Sequence, residues 1–119
     1  MVRMFGFNLL VFITLLNHSL TYALPAKDVR VVLDREYFQI TRGLLRNAEK
    51  SIQMMMFEAS FYVKYPKSPS NILIDELISA HKRGVKVEVI LETSDRKGRV
   101  TEKNRLTGEM LSKEGVEVV

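Results

Sequence analysis

Short apolar runs alternate with amphipathic stretches along most of the chain, and residues 80–91 give the clearest example. Gly84 follows a helical pattern and can take the left-handed backbone conformation that ends a helix. From Val85 to Leu91, valine and leucine alternate with other residues, which is typical of a strand. A helix, a glycine and a strand in this order predict half of a βαβ unit.

The same reasoning predicts four strands and three helices in the order β-α-β-α-β-α-β. This order indicates an α/β fold with a mixed or mostly parallel sheet and helices packed on it. The predicted strands are Val29 to Leu33, Ser51 to Phe57, Val85 to Leu91 and Val116 to Val119. The predicted helices start at Asp34, at Ser68-Pro69 and at Thr101, and they end near Ala48, Gly84 and Glu114.

Several local features refine these elements. Asp34 is predicted to cap the first helix, and Ser68 followed by proline is predicted to start the second. The run Met54-Met55-Met56 is interpreted as flexible core packing. Ligands of open parallel sheets bind at the carboxyl ends of the strands. In this chain those ends are Asp34, Glu58 to Tyr62, and Thr93 to Arg99.

Residues 1–23 have the pattern of a secretory signal peptide. Arg3 supplies a short positive region, Met4 to Leu16 is mostly apolar, and Thr21 to Ala23 offers small residues for cleavage. The apolar run is shorter than the about 20 residues that a membrane-spanning helix needs. We therefore expect an exported protein, periplasmic or extracellular, whose mature domain comprises residues 24–119; the alternative is a membrane anchor formed by the same segment.

Composition narrows the chemistry. The 119 residues suit one domain, and 46% hydrophobic and 27% charged residues are typical of a globular protein. Cysteine is absent, which excludes disulfides, a thiolate nucleophile and a cysteine-based metal site. The sequence contains no glycine-rich phosphate loop, no serine nucleophile elbow and no metal-ligand spacing, so we expect no metal and no cofactor.

A basic cluster follows the third predicted strand, at the predicted ligand-binding edge. Basic groups there would attract phosphate oxygens. The alternative is an ordinary solvated loop and helix face, since Asp95 and Glu102 lie among them. The candidate phosphate-binding residues are Arg96, Lys97, Arg99, Lys103 and Arg105.

Two other constellations are interpreted as structural. Glu58 and Glu92 both follow apolar strands, and ordinary strand-end polarity is favoured over a carboxylate pair. His81, Arg83 and Glu88 spell H-x-R-x4-E, a degenerate form of a phosphodiesterase signature. Because a helix end and the middle of a strand would aim these side chains in different directions, we reject it as a site.

Nearly all of the chain from Val29 to Val119 resembles the N-terminal half of a phospholipase D (PLD) superfamily domain. The segments that carry the resemblance are Ala48-Glu49-Lys50-Ser51-Ile52, Leu73…Leu77…Ala80, Arg83-Gly84-Val85-Lys86-Val87, and Asn104…Leu111…Gly115-Val116-Glu117-Val118. The chain looks most like the small, exported, single-motif endonucleases of that superfamily. The resemblance implies phosphodiester hydrolysis without a metal, in which two H-x-K-x4-D motifs meet at a two-fold axis. One histidine attacks phosphorus, the other protonates the leaving oxygen, and the lysines hold the phosphate.

No H-x-K occurs in this sequence, so no catalytic residue is assigned. In the family the motif follows the strand that begins here at Val116. We therefore expect a truncated, inactive PLD-like phosphodiesterase whose full-length form would act on nucleic acid or phospholipid, as a homodimer in one hypothesis. Two other hypotheses are a non-catalytic module that binds a polyanion or a partner, and a membrane-tethered structural domain. Truncation would leave an exposed apolar sheet edge at Val116 to Val119.

Overall fold

The computed structural model describes residues 25–94 and 98–119. Its helices and strands belong to a compact unit formed by residues 32–119, and residues 25–31 belong to a separate unit. In chain order the elements are α1 (Asp34–Asn47), β1 (Ser51–Met56), α2 (Pro69–Lys82), β2 (Lys86–Leu91), α3 (Arg99–Lys113) and β3 (Glu117–Val118). The three strands of this described part form a parallel sheet in the order β1-β2-β3, which confirms the α/β class.

The predicted first strand, Val29 to Leu33, is wrong. These residues form neither a helix nor a strand. Val29, Val31 and Leu33 satisfy the alternating pattern, but they are 80%, 81% and 72% exposed. A strand also needs a neighbouring backbone with which to exchange hydrogen bonds. Alternation alone predicts the side-chain pattern of a strand and not the presence of that neighbour.

The start of α1 also differs from the prediction. Leu33, and not Asp34, occupies the N-cap position, and no side chain caps this helix. The Leu33 carbonyl accepts hydrogen bonds from the backbone N–H groups of Glu36 and Tyr37, at 2.9 and 3.1 Å. Asp34 is instead the first helical residue, where its negative charge still complements the positive end of the helix.

The hydrophobic core lies on one face of the sheet. The register pairs Ile52 with Val87 and Val89 with Val118, so these side chains point to the same face. Right-handed crossovers that advance in one direction place α2 and α3 on that face. The buried core comprises Leu45, Ala59, Ile74, Leu77, Ile78, Ala80, Val85, Val87, Val89, Leu91, Leu111 and Val116.

The opposite face of the sheet is open in the described part of the chain. Met55 is 79% exposed and Phe57 is 72% exposed, whereas Met54 and Met56 pack against the core. The interpretation of the methionine run as core packing is therefore right for two residues and wrong for Met55. The cause is strand alternation, which sends neighbouring side chains to opposite faces.

The turns follow their predicted chemistry. Gly84 and Gly115 have φ angles of +91° and +88°, the left-handed conformation that glycine adopts most readily. Ser68 caps α2 by accepting a hydrogen bond from the Asn71 N–H at 3.2 Å, and proline occupies the first helical position. The predicted apolar edge at the last strand is only partly exposed, because Val116 is buried.

Candidate functional site

A loop leaves β1 at the carboxyl edge of the sheet, and Asn104 of α3 holds its first residues. The Asn104 side chain is 1% exposed. Its Oδ1 accepts a hydrogen bond from the Ala59 N–H at 2.8 Å. Its Nδ2 donates to the carbonyls of Phe57 and Glu92 at 2.9 and 2.8 Å. One amide therefore joins the ends of β1 and β2 to α3.

Two further buried side chains hold the same loop. Thr107 Oγ1 donates to the Ala59 carbonyl at 2.9 Å and accepts from the Phe61 N–H at 3.1 Å. On α2, Asn71 accepts from the Tyr62 N–H at 2.8 Å and donates to the Tyr62 carbonyl at 2.9 Å. Because buried backbone groups are costly when left unpaired, these bonds fix the path of the loop.

The rim of this edge carries a carboxylate held by a cation. The Lys103 Nζ donates to Glu58 Oε1, and the Ser60 hydroxyl donates to the same oxygen at 3.2 Å. The hydrogen bond from Lys103 is the main reason that the pKa of Glu58 lies below its ordinary value, against a smaller raising effect of burial. Arg99 lowers the pKa further through its charge. Glu58 therefore remains ionised near neutral pH.

The candidate phosphate-binding residues do not all share one surface. Arg99 and Lys103 are four residues apart on α3, so they lie on one face of this helix. Glu58, which follows β1, lies close enough to this face for the charges of both residues to lower its pKa. Arg105 is two residues beyond Lys103 and points elsewhere. Its guanidinium donates to Glu102 at 2.6 Å and to Glu109 at 2.5 Å. Arg96 and Lys97 lie outside the described residues.

The charge of Arg105 is largely matched by its own helix. The hydrogen bond to Glu102, followed by that to Glu109, raises the pKa of Arg105 above its ordinary value. In return, the hydrogen bond from Arg105 lowers the pKa of Glu102. This guanidinium therefore belongs to an exposed ion-pair row on α3, and the surface around it is less basic than the sequence indicates.

The strand-end glutamates do not pair with each other. The Glu58 carboxylate accepts from Ser60 and Lys103, whereas the Glu92 backbone donates to the Met56 carbonyl and accepts from Asn104. Strand-end polarity, the favoured interpretation, agrees with these contacts.

The three residues of the H-x-R-x4-E pattern lie in three different parts of the fold. The His81 ring lies against Gly115 so closely that a Cβ atom on that glycine would come within 2.8 Å of Nε2. Arg83 donates to the carbonyls of Leu45 and Arg46, both at 3.0 Å, and so caps the end of α1. Glu88 lies within β2. These contacts agree with the rejection of the signature as a site.

Sequence reasoning missed the polar residues that hold the loop. Asn104, Thr107 and Leu111 recur at helical spacing, and all three are buried on the core-facing side of α3. Two polar residues on an otherwise apolar helix face are the signal that could have identified them, because buried polar groups need partners.

Neither a metal cluster nor a membrane-spanning helix is found in the described part of the chain. Residues 25–94 and 98–119 contain no group of three or more histidine, aspartate or glutamate side chains placed to hold a metal ion. Among these residues, too, no helix has the length and hydropathy required to span a membrane.

A one-sided parallel sheet with a fixed loop and a charged rim at its carboxyl edge defines an α/β domain, and in open sheets of this class that edge is where ligands generally bind. The family model described as "Cardiolipin synthase, PLD-like domain" matches residues 42–119. The protein belongs to this PLD-like family, and the family resemblance predicted from the sequence is confirmed. No curated protein and no solved structure gives a significant match.

Proposed function

We propose that residues 32–119 form the N-terminal scaffold of an exported PLD-like phosphodiesterase domain, and that the 119-residue chain by itself does not hydrolyse phosphodiesters. Family membership supports the reaction class. The absence of any H-x-K from the sequence supports the lack of activity, because the family's nucleophile and acid are the histidines of that motif.

Within this proposal, phosphate binding is assigned from the rim formed by Glu58, Lys103 and Arg99. An ammonium group has three donors, so Lys103 can hold Glu58 and still offer N–H groups to a phosphate oxygen. Its side chain is 28% exposed, which leaves it accessible at the carboxyl edge. Arg99 adds a second positive charge on the same helix face. We assign phosphate binding to these two residues.

The direct test is a hydrolysis assay on the purified chain. A chromogenic phosphodiester, a single-stranded oligonucleotide and phospholipid vesicles serve as three substrates. We expect no turnover of any of them, and turnover by the purified chain would contradict the proposal. Fusion of the chain to a family segment that bears H-x-K-x4-D should restore hydrolysis, and the preferred substrate would then distinguish a nuclease from a phospholipase.

A binding assay tests the rim without any need for turnover. Arg99→Gln and Lys103→Gln should each weaken binding of an oligonucleotide or of a soluble phosphodiester. Lys113→Gln is the matched control, because Lys113 is exposed in the last turn of the same helix. Equal losses in all three variants would indicate nonspecific attraction to positive charge and would remove the rim from the proposal.

Export is proposed from residues 1–23, which lie outside the described residues. Expression with a periplasmic fractionation should yield a shortened chain that begins near Leu24. Retention of the full-length chain in the membrane pellet after alkaline washing would favour the anchored alternative.

The hypothesis of a non-catalytic polyanion-binding module predicts that Arg105 contributes to polyanion binding. The ion pairs of Arg105 with Glu102 and Glu109 weigh against this contribution.

A further inference from the structure

The loop that follows the fixed residues exposes apolar and aromatic side chains. We call Phe61 to Ser68 the tyrosine loop. Val63 is 84% exposed and Tyr65 is 67% exposed, while Phe61 packs against the core at the loop's base. An open, mainly apolar groove runs along Lys64 to Ser68. Neighbouring exposed apolar side chains at a loop tip commonly mark an interaction surface.

The tyrosine loop is held in one shape before any partner binds. The Tyr65 N–H donates to the Tyr62 carbonyl at 3.1 Å, and the Ser68 N–H donates to the Tyr65 carbonyl at 3.0 Å. The rings of Tyr62 and Tyr65 meet edge to face with centroids 6.5 Å apart. Asn71 fixes the backbone of Tyr62 from α2. A loop that is already ordered loses little conformational entropy on binding.

The charged side chains of the tyrosine loop itself have one sign. Lys64 and Lys67 are exposed, and residues 59–74 contain no aspartate or glutamate. Neither lysine forms an ion pair with the residues that the structure describes. The two ammonium groups therefore flank an apolar tip and form no ion pair within the described residues, which complements a negatively charged surface.

We propose that the tyrosine loop docks on an anionic lipid surface, with Val63 and Tyr65 at the depth of the headgroups and Lys64 and Lys67 on the anionic lipids. Tyrosine prefers membrane interfaces, and lysine keeps its charged end in the polar layer while its stem lies along apolar surface. Val63, the most exposed of these side chains, has no ring on which a base could stack. The edge-to-face tyrosine pair likewise gives a poorer stacking platform than parallel open rings, so lipid is favoured over single-stranded nucleic acid.

The test is vesicle co-sedimentation of the chain, with pure phosphatidylcholine vesicles and with vesicles that also contain phosphatidylglycerol. The wild type should prefer the anionic vesicles. Lys64→Gln/Lys67→Gln should lower that binding about twenty-five-fold, since each lysine near an anionic surface contributes about five-fold. Lys50→Gln/Lys113→Gln removes the same charge from exposed sites elsewhere and should leave binding nearly unchanged.

The apolar contribution is tested separately. Val63→Ala/Tyr65→Ala should lower binding to anionic vesicles at least about ten-fold. Leu44→Ala/Leu106→Ala is the control, because both leucines are exposed on helices. Strong lipid binding by the apolar residues 1–23 would mask the loop in every variant alike, so the variants are compared as the processed chain that begins near Leu24, the form expected after export.

A spectroscopic measurement makes the result independent of total affinity. Because the chain has no cysteine, Val63→Cys and Leu44→Cys each provide a single labelling site for an environment-sensitive dye. We expect a blue shift on anionic vesicles for the label at 63 and none for the label at 44. The proposal is overturned by a wild type without preference for anionic vesicles, by equal losses in the paired controls, or by no shift at 63. The proposal is also overturned if Lys64→Gln/Lys67→Gln weakens oligonucleotide binding and leaves vesicle binding unchanged, since the loop would then be a nucleic-acid-binding surface.

Docking of this loop does not depend on the proposed enzymatic ancestry. Vesicle binding requires no hydrolysis, and the loop residues differ from Arg99 and Lys103. If the rim fails to bind phosphate but the chain still binds anionic vesicles, phosphate binding at the rim is contradicted and the docking of the loop is not. If the rim binds phosphate but the chain does not bind anionic vesicles, only the docking of the loop is contradicted.

Discussion

Replacement of Asn104 by alanine removes three hydrogen bonds at the point where two strands and a helix meet. The Ala59 N–H, on a residue that is 4% exposed, would lose its partner inside the protein. A buried donor left unpaired costs about 1–3 kcal/mol. The carbonyls of Phe57 and Glu92 lie on more exposed residues, so water can replace most of what they lose.

We therefore expect Asn104→Ala to lower the free energy of unfolding by about 3 kcal/mol, once the lost packing of the amide is included. Natural domains have a total stability of about 5–15 kcal/mol, so the change is large. Urea titration followed by far-UV circular dichroism measures it. The chain has no tryptophan, which makes backbone dichroism the more suitable signal. Asn47→Ala is the matched control, because Asn47 is exposed at the end of α1.

Asn104→Asp tests the direction of the hydrogen bonds. The side chain keeps its shape, but an oxygen replaces the amide nitrogen that donates to Phe57 and Glu92. Near neutral pH this variant should be less stable than Asn104→Ala, because a buried carboxylate would face two carbonyl oxygens. Acid should recover part of the loss by protonating that carboxylate. A stability change below about 1 kcal/mol in both variants would refute the assigned role of the amide.

Five further substitutions test three other parts of the fold by the same urea titration. Glu76→Gln should cost about 1–2 kcal/mol, because Glu76 is buried between two arginines of α1 at 2.9 and 2.6 Å. Burial raises the pKa of Glu76, but the hydrogen bonds from the two arginines outweigh this effect, so the pKa lies below its ordinary value. The greater stability of the wild type over Glu76→Gln should therefore be present above about pH 4.5 and fade below it. A stability difference that grows in acid would contradict this reasoning. Gly84→Ala should cost about 1 kcal/mol, because alanine is strained in the left-handed backbone conformation of this position. Gly115→Ala should cost clearly more, since its new methyl group would also meet the ring of His81. Equal costs of the two substitutions would refute the contact between Gly115 and His81. Met54→Ala should cost about 1–2 kcal/mol and Met55→Ala less than about 0.5 kcal/mol, and a reversed order would mean that the sheet faces are assigned wrongly.

The features that sequence predicted correctly are those determined by neighbouring residues. The glycine turn at Gly84 and the start of α2 at Ser68 depend on local backbone chemistry, which a few adjacent residues specify. The strand at Val29 to Leu33 depends on whether another strand lies beside it. Since that is a property of the whole fold, its alternating valines gave the right pattern for a structure that does not form.

The candidate site shows the same division. The sequence predicts a helix that starts only at Thr101, which leaves Arg99 in the preceding loop. Because the helix in fact starts at Arg99, this residue and Lys103 share a helix face that Arg105 does not. The pairing of Lys103 with Glu58 joins residues 45 positions apart along the chain. Only the packing of α3 against the carboxyl edge brings them together, and no local pattern in the sequence indicates that packing.

One segment connects the two proposals, because the loop after β1 has a fixed half and an exposed half. Asn104 and Thr107 hold its beginning at the rim proposed to bind phosphate, and Asn71 holds the backbone of Tyr62, where the tyrosine loop turns outward. The buried amides therefore determine both where the rim lies and how the apolar tip is presented. A protein whose rim binds phosphate and whose adjacent loop docks on anionic lipid would meet lipid phosphates and soluble phosphodiesters from the same edge of its sheet. Because the rim and the loop share one edge, either ligand could reach both. Separate variants of the rim and of the loop are therefore needed to decide whether the protein prefers nucleic acid or phospholipid.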